Sequence, residues 1–287
     1  MKETIGWIGV GSMGHRMSRH LATAGYPLVV ADAVSTERAP PGAAIAKTNA
    51  EVAGKTEIVI LSLPDGKVSE AVSREISGAK PRKVKTVIDT STIGIKAAEA
   101  CAALLAKAGI EYVDAPVSGG TSGADKATIA IMLACPQQSF ERFKPLMSLM
   151  GKPFHVGPKP GQGQAVKVLN NFLSATALAA SCEAVAFGTA LGIDMKTILD
   201  IVNASSGRNS ATEDKFLNRI LHGRYDAGFT AKLQLKDIRL YLEAARAAGI
   251  PDDVAGPVVD LWRRMEAAMP GADITDMYRY TQQGRRS

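Results

Sequence analysis

Aromatic residues make up only 5% of this 287-residue chain, with two Trp, six Tyr and seven Phe. Platforms that stack single-stranded nucleic acid need rings interleaved with positive charge. The densest basic run, Lys80, Arg82, Lys83 and Lys85, has no ring beside it and reads as a solvated loop around Pro81. Cysteine is equally scarce. Cys101, Cys135 and Cys182 are odd in number, far apart and without a C-x-x-C pair, which argues against a disulfide framework and fits a reducing compartment. The four histidines, His15, His20, His155 and His222, form neither H-E-x-x-H nor a ligand cluster, so no metal is expected. The opening MKETIGWIGVGSMG has no basic stretch ahead of a long apolar core, so no signal peptide and a cytoplasmic location are expected. Residues 173–193 imitate a membrane span, but they are rich in Ala, Ser, Thr and Gly and carry Glu183 near the centre. A central acid costs roughly 2.5–3.5 kcal/mol on insertion scales, so a helix buried between domains, and no membrane partner, is the expectation.

What is present is apolar and well patterned. Hydrophobic residues reach 46%, too many for a disordered chain, and the length suggests two domains. Lys and Arg number 34 against 28 Asp and Glu, a net charge of +6, of which +5 lies in residues 1–164. In the first half, short apolar runs at 4–10, 28–31, 57–63, 86–88 and 111–113 alternate with helical stretches such as 13–24 and the Ala-rich 97–108. That alternation predicts a parallel sheet covered on both faces. The second half reads as helices over 164–191, 195–203, 211–222, 233–248 and 257–268. Asp194 and Pro257 stand at helix starts, and Gly192, Gly223 and Gly249 at helix ends. A Pro/Gly stretch at 157–163 marks the seam, giving domains 1–162 and 163–287.

The strongest motif is Gly9-x-Gly11-x-x-Gly14, placed between a predicted strand and a predicted helix. Gly9 permits the tight turn, Gly11 the approach of a dinucleotide pyrophosphate, and Gly14 close packing of helix on strand. The pyrophosphate would rest on the helix N-terminus, with Val10, Ser12 and Met13 lining the turn. Asp32, 21 residues beyond Gly11 at the end of the next strand, is placed to accept the adenosine ribose hydroxyls. Ala33 follows it, so no Arg stands there for a 2′-phosphate; NAD is favoured, with NADP possible, and Arg38 is the nearest residue that could alter this.

Four ordered segments then resemble the β-hydroxyacid dehydrogenases, the family of 3-hydroxyisobutyrate dehydrogenase and tartronate semialdehyde reductase, with 6-phosphogluconate dehydrogenase-like domains. They are IGVGSMGHRM at 8–17, DAPVSGGTSG at 114–123, Gly163-x-x-x-Lys167-x-x-x-Asn171, and Lys236-Asp237 after Phe229. The resemblance implies a Rossmann-type α/β dinucleotide-binding domain followed by an all-α substrate and oligomerisation domain. It implies hydride transfer between a nicotinamide cofactor and a short β-hydroxy acid or semialdehyde. Lys167 is then the general acid/base, with Asn171, four residues on and on the same helical face, aligning the substrate. Asn170 points about 100° away by helix geometry. Ser118, Gly119, Gly120 and Lys236 would anchor the substrate acid, and Lys236 would also approach the nicotinamide. Leu63-Pro64 and Ser91-Thr92, both at strand ends, resemble loops against the cofactor, Thr92 at the nicotinamide ribose.

Departures from the family pattern are His20 for a common Asn, Ala127 for a usual Gly, and Ala134-Cys135-Pro136 for a usual glycine pair. Selectivity is expected around Ser205–Thr212, where Arg208 either reads a second anionic group or lies on the surface. Imine-reducing relatives usually lack a Lys at position 167. The reading from another class is a non-catalytic dinucleotide-binding or nucleic-acid-associated relative that uses the +6 charge. A homodimer or homotetramer is expected from the apolar helical half; the particular acid stays open.

Overall fold

The computed structural model describes residues 2–284. The chain falls into two compact units, Met1–Lys167 and Val168–Ser287.

Among the described residues the first unit is built on nine strands: β1 (Ile5–Ile8), β2 (Leu28–Ala31), β3 (Ala44–Ile45), β4 (Ile58–Leu61), β5 (Thr86–Asp89), β6 (Glu111–Asp114), β7 (Val117–Ser118), β8 (Ile129–Ala134) and β9 (Gly151–Gly157). Their order is β3-β2-β1-β4-β5-β6-β8-β7, with β9 on β8. The first six pair in parallel, while β8 runs antiparallel to β6 and β7. The strand order reverses beside β1, and in such sheets ligands bind outside the carboxyl ends at that reversal. Every residue of β1, β2, β4 and β5 is buried. Alternate side chains of each strand serve opposite faces. Ile5, Trp7, Leu28, Val30, Ile58 and Ile60 pack into one core cluster, with Met17 and Leu21 of α1 (Gly14–Thr23). Ile8, Val29, Val59 and Leu61 pack into the other, with Val52, Val72, Ile76 and Cys101 of α2 (Asn49–Lys55), α3 (Gly66–Gly78) and α4 (Ile95–Ala106). A face of helices on each side is why these strands are apolar runs without a polar face.

The elements expected from the sequence do not include β7, β8 and β9, nor the short α5 (Gly120–Asp125) and α6 (Gln137–Met147). The run at 129–134 is as apolar as the earlier strands and pairs with β9 over its whole length; β9 itself mixes polar and apolar residues. Ala127, where the family usually has Gly, takes φ +55°, a left-handed conformation that glycine adopts without strain. His20 Nε2 lies 2.7 Å from the Ala124 carbonyl oxygen, and Arg16 and Arg19 both bridge to Asp125. Together they tie α1 to α5. Two of the four basic residues at 80–85 are engaged locally: Arg82 donates to the Ser77 and Ala108 carbonyls, and Lys85 pairs with Glu57.

The second unit is helical. α7 (Gln162–Ala190) starts ahead of it and supplies its spine, followed by α8 (Met195–Asn203), α9 (Ala231–Ala247), α10 (Ala255–Ala268) and α11 (Met277–Gln283). Its core gathers Leu178, Cys182, Val185, Leu199, Phe216, Ile238, Trp262, Met265 and Met277. Asp194 caps α8 by accepting the Thr197 amide, and Thr230 caps α9 through the Leu233 amide. Pro257 falls in the first turn of α10, where its missing N–H has no partner to lose. Gly192, Gly223 and Gly249 all have positive φ. One expected helix is corrected. Residues 211–222 form a π-helical turn at Ala211–Phe216 and a separate 3₁₀ turn at Ile220–His222. The Asn209 carbonyl side chain accepts from the Ala211 and Thr212 amides, and Ala211, Thr212, Phe216 and Ile220 are buried.

α7 is long and apolar enough by length and composition to cross a membrane, with 44% of that window buried. All three cysteines are free and buried, and burial pushes the Cys101 and Cys135 thiols up to about 11 and about 12; they behave as small apolar side chains.

Candidate active site

The glycine turn after β1 shows why each glycine stands where it does. Gly9 has φ +95°, and a Cβ there would lie 2.2 Å from the Ser62 carbonyl oxygen. A Cβ on Gly14 would lie 2.0 Å from the Gly9 carbonyl oxygen. Gly11 is different, because a Cβ there would meet nothing within 4 Å. The turn thus closes tightly at both ends and leaves open space at its exposed middle, the shape a pyrophosphate needs. No side chain caps the N-terminus of α1, and its first turn has no acid, so its free N–H groups and dipole favour an anion. Val10 is buried, Ser12 exposed and Met13 half-buried.

Asp32 follows β2 and organises its own surroundings. Oδ2 accepts the Val10 amide at 2.8 Å, and Oδ1 the Val34 and Ser35 amides at 2.8 and 3.1 Å. A carboxylate has about four acceptor positions, so it joins β1 to β2 and keeps a position for a ribose hydroxyl. These residues fit a dinucleotide. Ser91 Oγ accepts the Leu63 amide at 2.7 Å, which joins the Leu63-Pro64 loop to the segment carrying half-buried Thr92. Ser118 ends β7, and Gly119 and Gly120 follow with φ +138° and +65°. Gly119 backs onto Ile129, 3.1–3.2 Å from where its Cβ would be, so only glycine makes that turn without displacing β8.

Lys167 and Asn171 are both 8% exposed, whereas Asn170 is exposed. α7 is uninterrupted from 162 to 190, so the two buried residues, four apart, share its face. The start of this helix is held by Asp114, which accepts the Gly161 and Gln164 amides at 3.0 and 3.1 Å and the Gln164 side chain at 2.8 Å. Burial raises the Asp114 carboxyl to about 6, the Gln164 and Gly161 bonds opposing the shift. Its neighbour across the strands, Asp89, is raised by burial too.

In the helical unit, Asn171 donates to Asp237 at 2.6 Å, and the Gln234 side chain donates to the Asn171 carbonyl at 3.2 Å. Lys236 pairs with Asp237 at 3.0 Å, half-buried against a buried carboxylate. Arg208 is exposed and pairs with Glu213 at 3.7 Å. The motif reading passed over Asp237, Gln164 and Asp114 as site residues. A signal for Asp237 existed: α9 has a buried stripe of Ala231, Leu235, Ile238, Leu242 and Ala245, and Gln234 and Asp237 interrupt it with polar groups three apart. Among the described residues no cluster of His, Cys, Asp and Glu could hold a metal ion.

Residues 4–159 match the NAD binding domain of 6-phosphogluconate dehydrogenase, and residues 161–281 match the NAD-binding domain of NADP-dependent 3-hydroxyisobutyrate dehydrogenase. The chain belongs to the β-hydroxyacid dehydrogenase family. It is 37% identical to 2-(hydroxymethyl)glutarate dehydrogenase of Eubacterium barkeri, over 86% of this chain and 84% of that protein. It is 34% identical to the NAD-dependent L-serine dehydrogenase of Pseudomonas aeruginosa over 92% of both. The solved structure of Mycobacterium tuberculosis 3-hydroxyisobutyrate dehydrogenase with L-serine superposes with a TM-score of 0.88 at 27% identity, covering 98% of this chain and 99% of that one. As a member of this family the chain is a nicotinamide-dependent oxidoreductase acting on the CH–OH group of a hydroxy acid, and its Rossmann-type unit and helical unit are the family's two parts.

Proposed function

We propose that this dehydrogenase acts on a short β-hydroxy acid of the form HOCH₂–CH(R)–COO⁻, with Lys167 as general acid/base. The substrates named for the relatives share that skeleton: R is an ammonium group in L-serine, a methyl in 3-hydroxyisobutyrate and a carboxyethyl chain in 2-(hydroxymethyl)glutarate. The observation that carries the reading is the pair on α7, where Lys167 and Asn171, the two named polar positions of the third motif, are withdrawn from solvent on one helical face. Lys167 takes the hydroxyl proton in oxidation and returns it to the carbonyl oxygen in reduction. Asn171, its amide steadied by Asp237, holds the hydroxyl-bearing carbon in line. Ser118 and the Gly119 and Gly120 amides receive the carboxylate, with Lys236 adding positive charge. The nicotinamide dinucleotide, seated on Gly9–Gly14, Asp32, Leu63, Pro64 and Thr92, supplies the hydride chemistry. NAD is preferred, since Ala33 and Val34 follow Asp32 and neither can pair with a 2′-phosphate.

The test is a set of initial rates on the three acids with NAD and NADP, for the wild type and Lys167→Ala. The variant should lose about 10³-fold or more in kcat while NADH titration by fluorescence stays unchanged. Substantial turnover by Lys167→Ala would remove the lysine from this role.

We also propose a homo-oligomer in the cytoplasm. Leu169, Leu173 and Phe187 along α7, and Leu191 just past its end, are 41–68% exposed, with Ala180 and Ala184 exposed between them. Intervals of three, four and seven residues put these on one largely apolar face, with Glu183 at its edge, suited to the matching face of a second copy. Sedimentation of the purified chain as a monomer at micromolar concentration would overturn this part. The nucleic-acid reading draws less on the basic run than its charge implies, since Arg82 and Lys85 are engaged within the unit and no aromatic ring stands in the run.

A further inference from the structure

Gln164 carries no part of the chemistry above, yet it is fully buried and all of its side-chain hydrogen-bonding capacity is used. Nε2 donates to Asp114 Oδ1 at 2.8 Å and to the Ser91 carbonyl at 3.0 Å. Oε1 accepts the Ile93 and Gly94 amides at 2.9 and 3.1 Å. Two donors and two acceptor positions are the whole capacity of a glutamine amide. Turning the amide over would set NH₂ against two N–H groups and oxygen against a carboxylate, so only one orientation is allowed.

A helix start needs partners for its free amides, and Asp114 already supplies them at Gly161 and Gln164. The second grip, on residues 91–94, adds nothing to that cap. It joins α7 to the loop of Thr92, and through Ser91 Oγ to Leu63. Gly163 leaves no slack: a Cβ there would lie 2.5 Å from the Met132 carbonyl oxygen and 3.0 Å from Asp114 Oδ2. Lys167 stands one turn further along the same helix.

We propose that Gln164 is a positioning residue for the reaction: by clamping Asp114 and the 91–94 segment at once, it fixes Lys167 in register with the loop that bears Thr92. Its effect on turnover rests on the Lys167 reading given above; its mechanical role does not. The grip depends on donors at position 164 facing a carboxylate. The groups around that carboxylate are Asp89 across the strands on β5, Tyr112 on β6, and Cys135 beyond β8. A carboxyl at 164 would therefore share one proton with Asp114 in acid and repel it in base.

The experiment compares wild type, Gln164→Ala and Gln164→Glu. Rates are taken on whichever of 3-hydroxyisobutyrate, L-serine and 2-(hydroxymethyl)glutarate is turned over fastest, and amide hydrogen exchange is measured on the protein without cofactor. Small misplacements of a reacting group cost about 10²-fold, so Gln164→Glu should lose about thirtyfold or more in kcat near pH 8.5. Relative to wild type, that deficit should shrink about fivefold or more near pH 6, where the shared proton restores a donor. Gln164→Ala should speed exchange at residues 91–95 and 160–167 together. A deficit that ignores pH, turnover by Gln164→Ala within about twofold of wild type, or faster exchange in only one segment would each overturn the proposal. So would failure of both variants to fold near pH 6, which would make the role structural. If Lys167→Ala instead keeps its turnover while the paired exchange result holds, the lysine reading fails and the clamp stands.

Discussion

The two units reach precision by different routes. In the first, the candidate site is made mostly of backbone: turns at the carboxyl ends of β1, β2, β4 and β5, with glycines setting how closely two chains approach. In the second, it is made of side chains on helices, where Asn171, Asp237, Lys236 and Gln234 hold one another. A backbone site tolerates almost no added atom but many exchanges of exposed side chains. A side-chain site tolerates changes of size but loses its geometry when one partner goes.

The largest expected effect breaks the first kind. Gly14→Ala sets a methyl 2.0 Å from a backbone oxygen and should cost about 3 kcal/mol or more, read as a large fall in Tm or as insoluble protein. An intermediate effect tests the second kind. Asn171→Ala leaves the buried Asp237 carboxylate short of a donor, worth about 1–3 kcal/mol. Tm should fall by several degrees, and turnover should fall further than Tm alone explains. The smallest effect on stability sharpens the contrast within one loop. Gly11→Ala meets nothing within 4 Å, so the thermal transition should stay within about 2 °C, while NADH affinity measured by fluorescence drops. A Gly11→Ala protein that unfolds early, or that binds NADH normally, would break the argument that Gly11 serves the ligand and Gly14 the fold.

Much of the first unit was legible because its constraints are local. An apolar run, a glycine spacing and an acid at the next strand end all lie within 32 residues, and their order alone implies strand, turn and helix. The helix boundaries of the second unit were legible for a similar reason, since Asp194, Gly192 and Gly249 act on their immediate neighbours. The break at Arg219 was not legible: Leu217 and Asn218 continue the helical turn, and no glycine or proline marks where it stops. Nor was β9, a mixed run with Pro153 in it that lies some twenty residues beyond its partner β8, across an intervening helix.

Asp237 and Gln164 mark the limit of reading by type and spacing. Each is an ordinary polar residue in sequence, and each is committed only by a partner 66 or 50 positions away, Asn171 or Asp114. The sequence by itself determined where the chain turns tightly, which strands are covered on both faces, and which residue types are offered to a nucleotide and an acid, because backbone sterics and hydrophobic period act over a few residues. Only the tertiary structure decided which offered groups are held and by what, because hydrogen-bond direction and burial belong to pairs that the fold brings together.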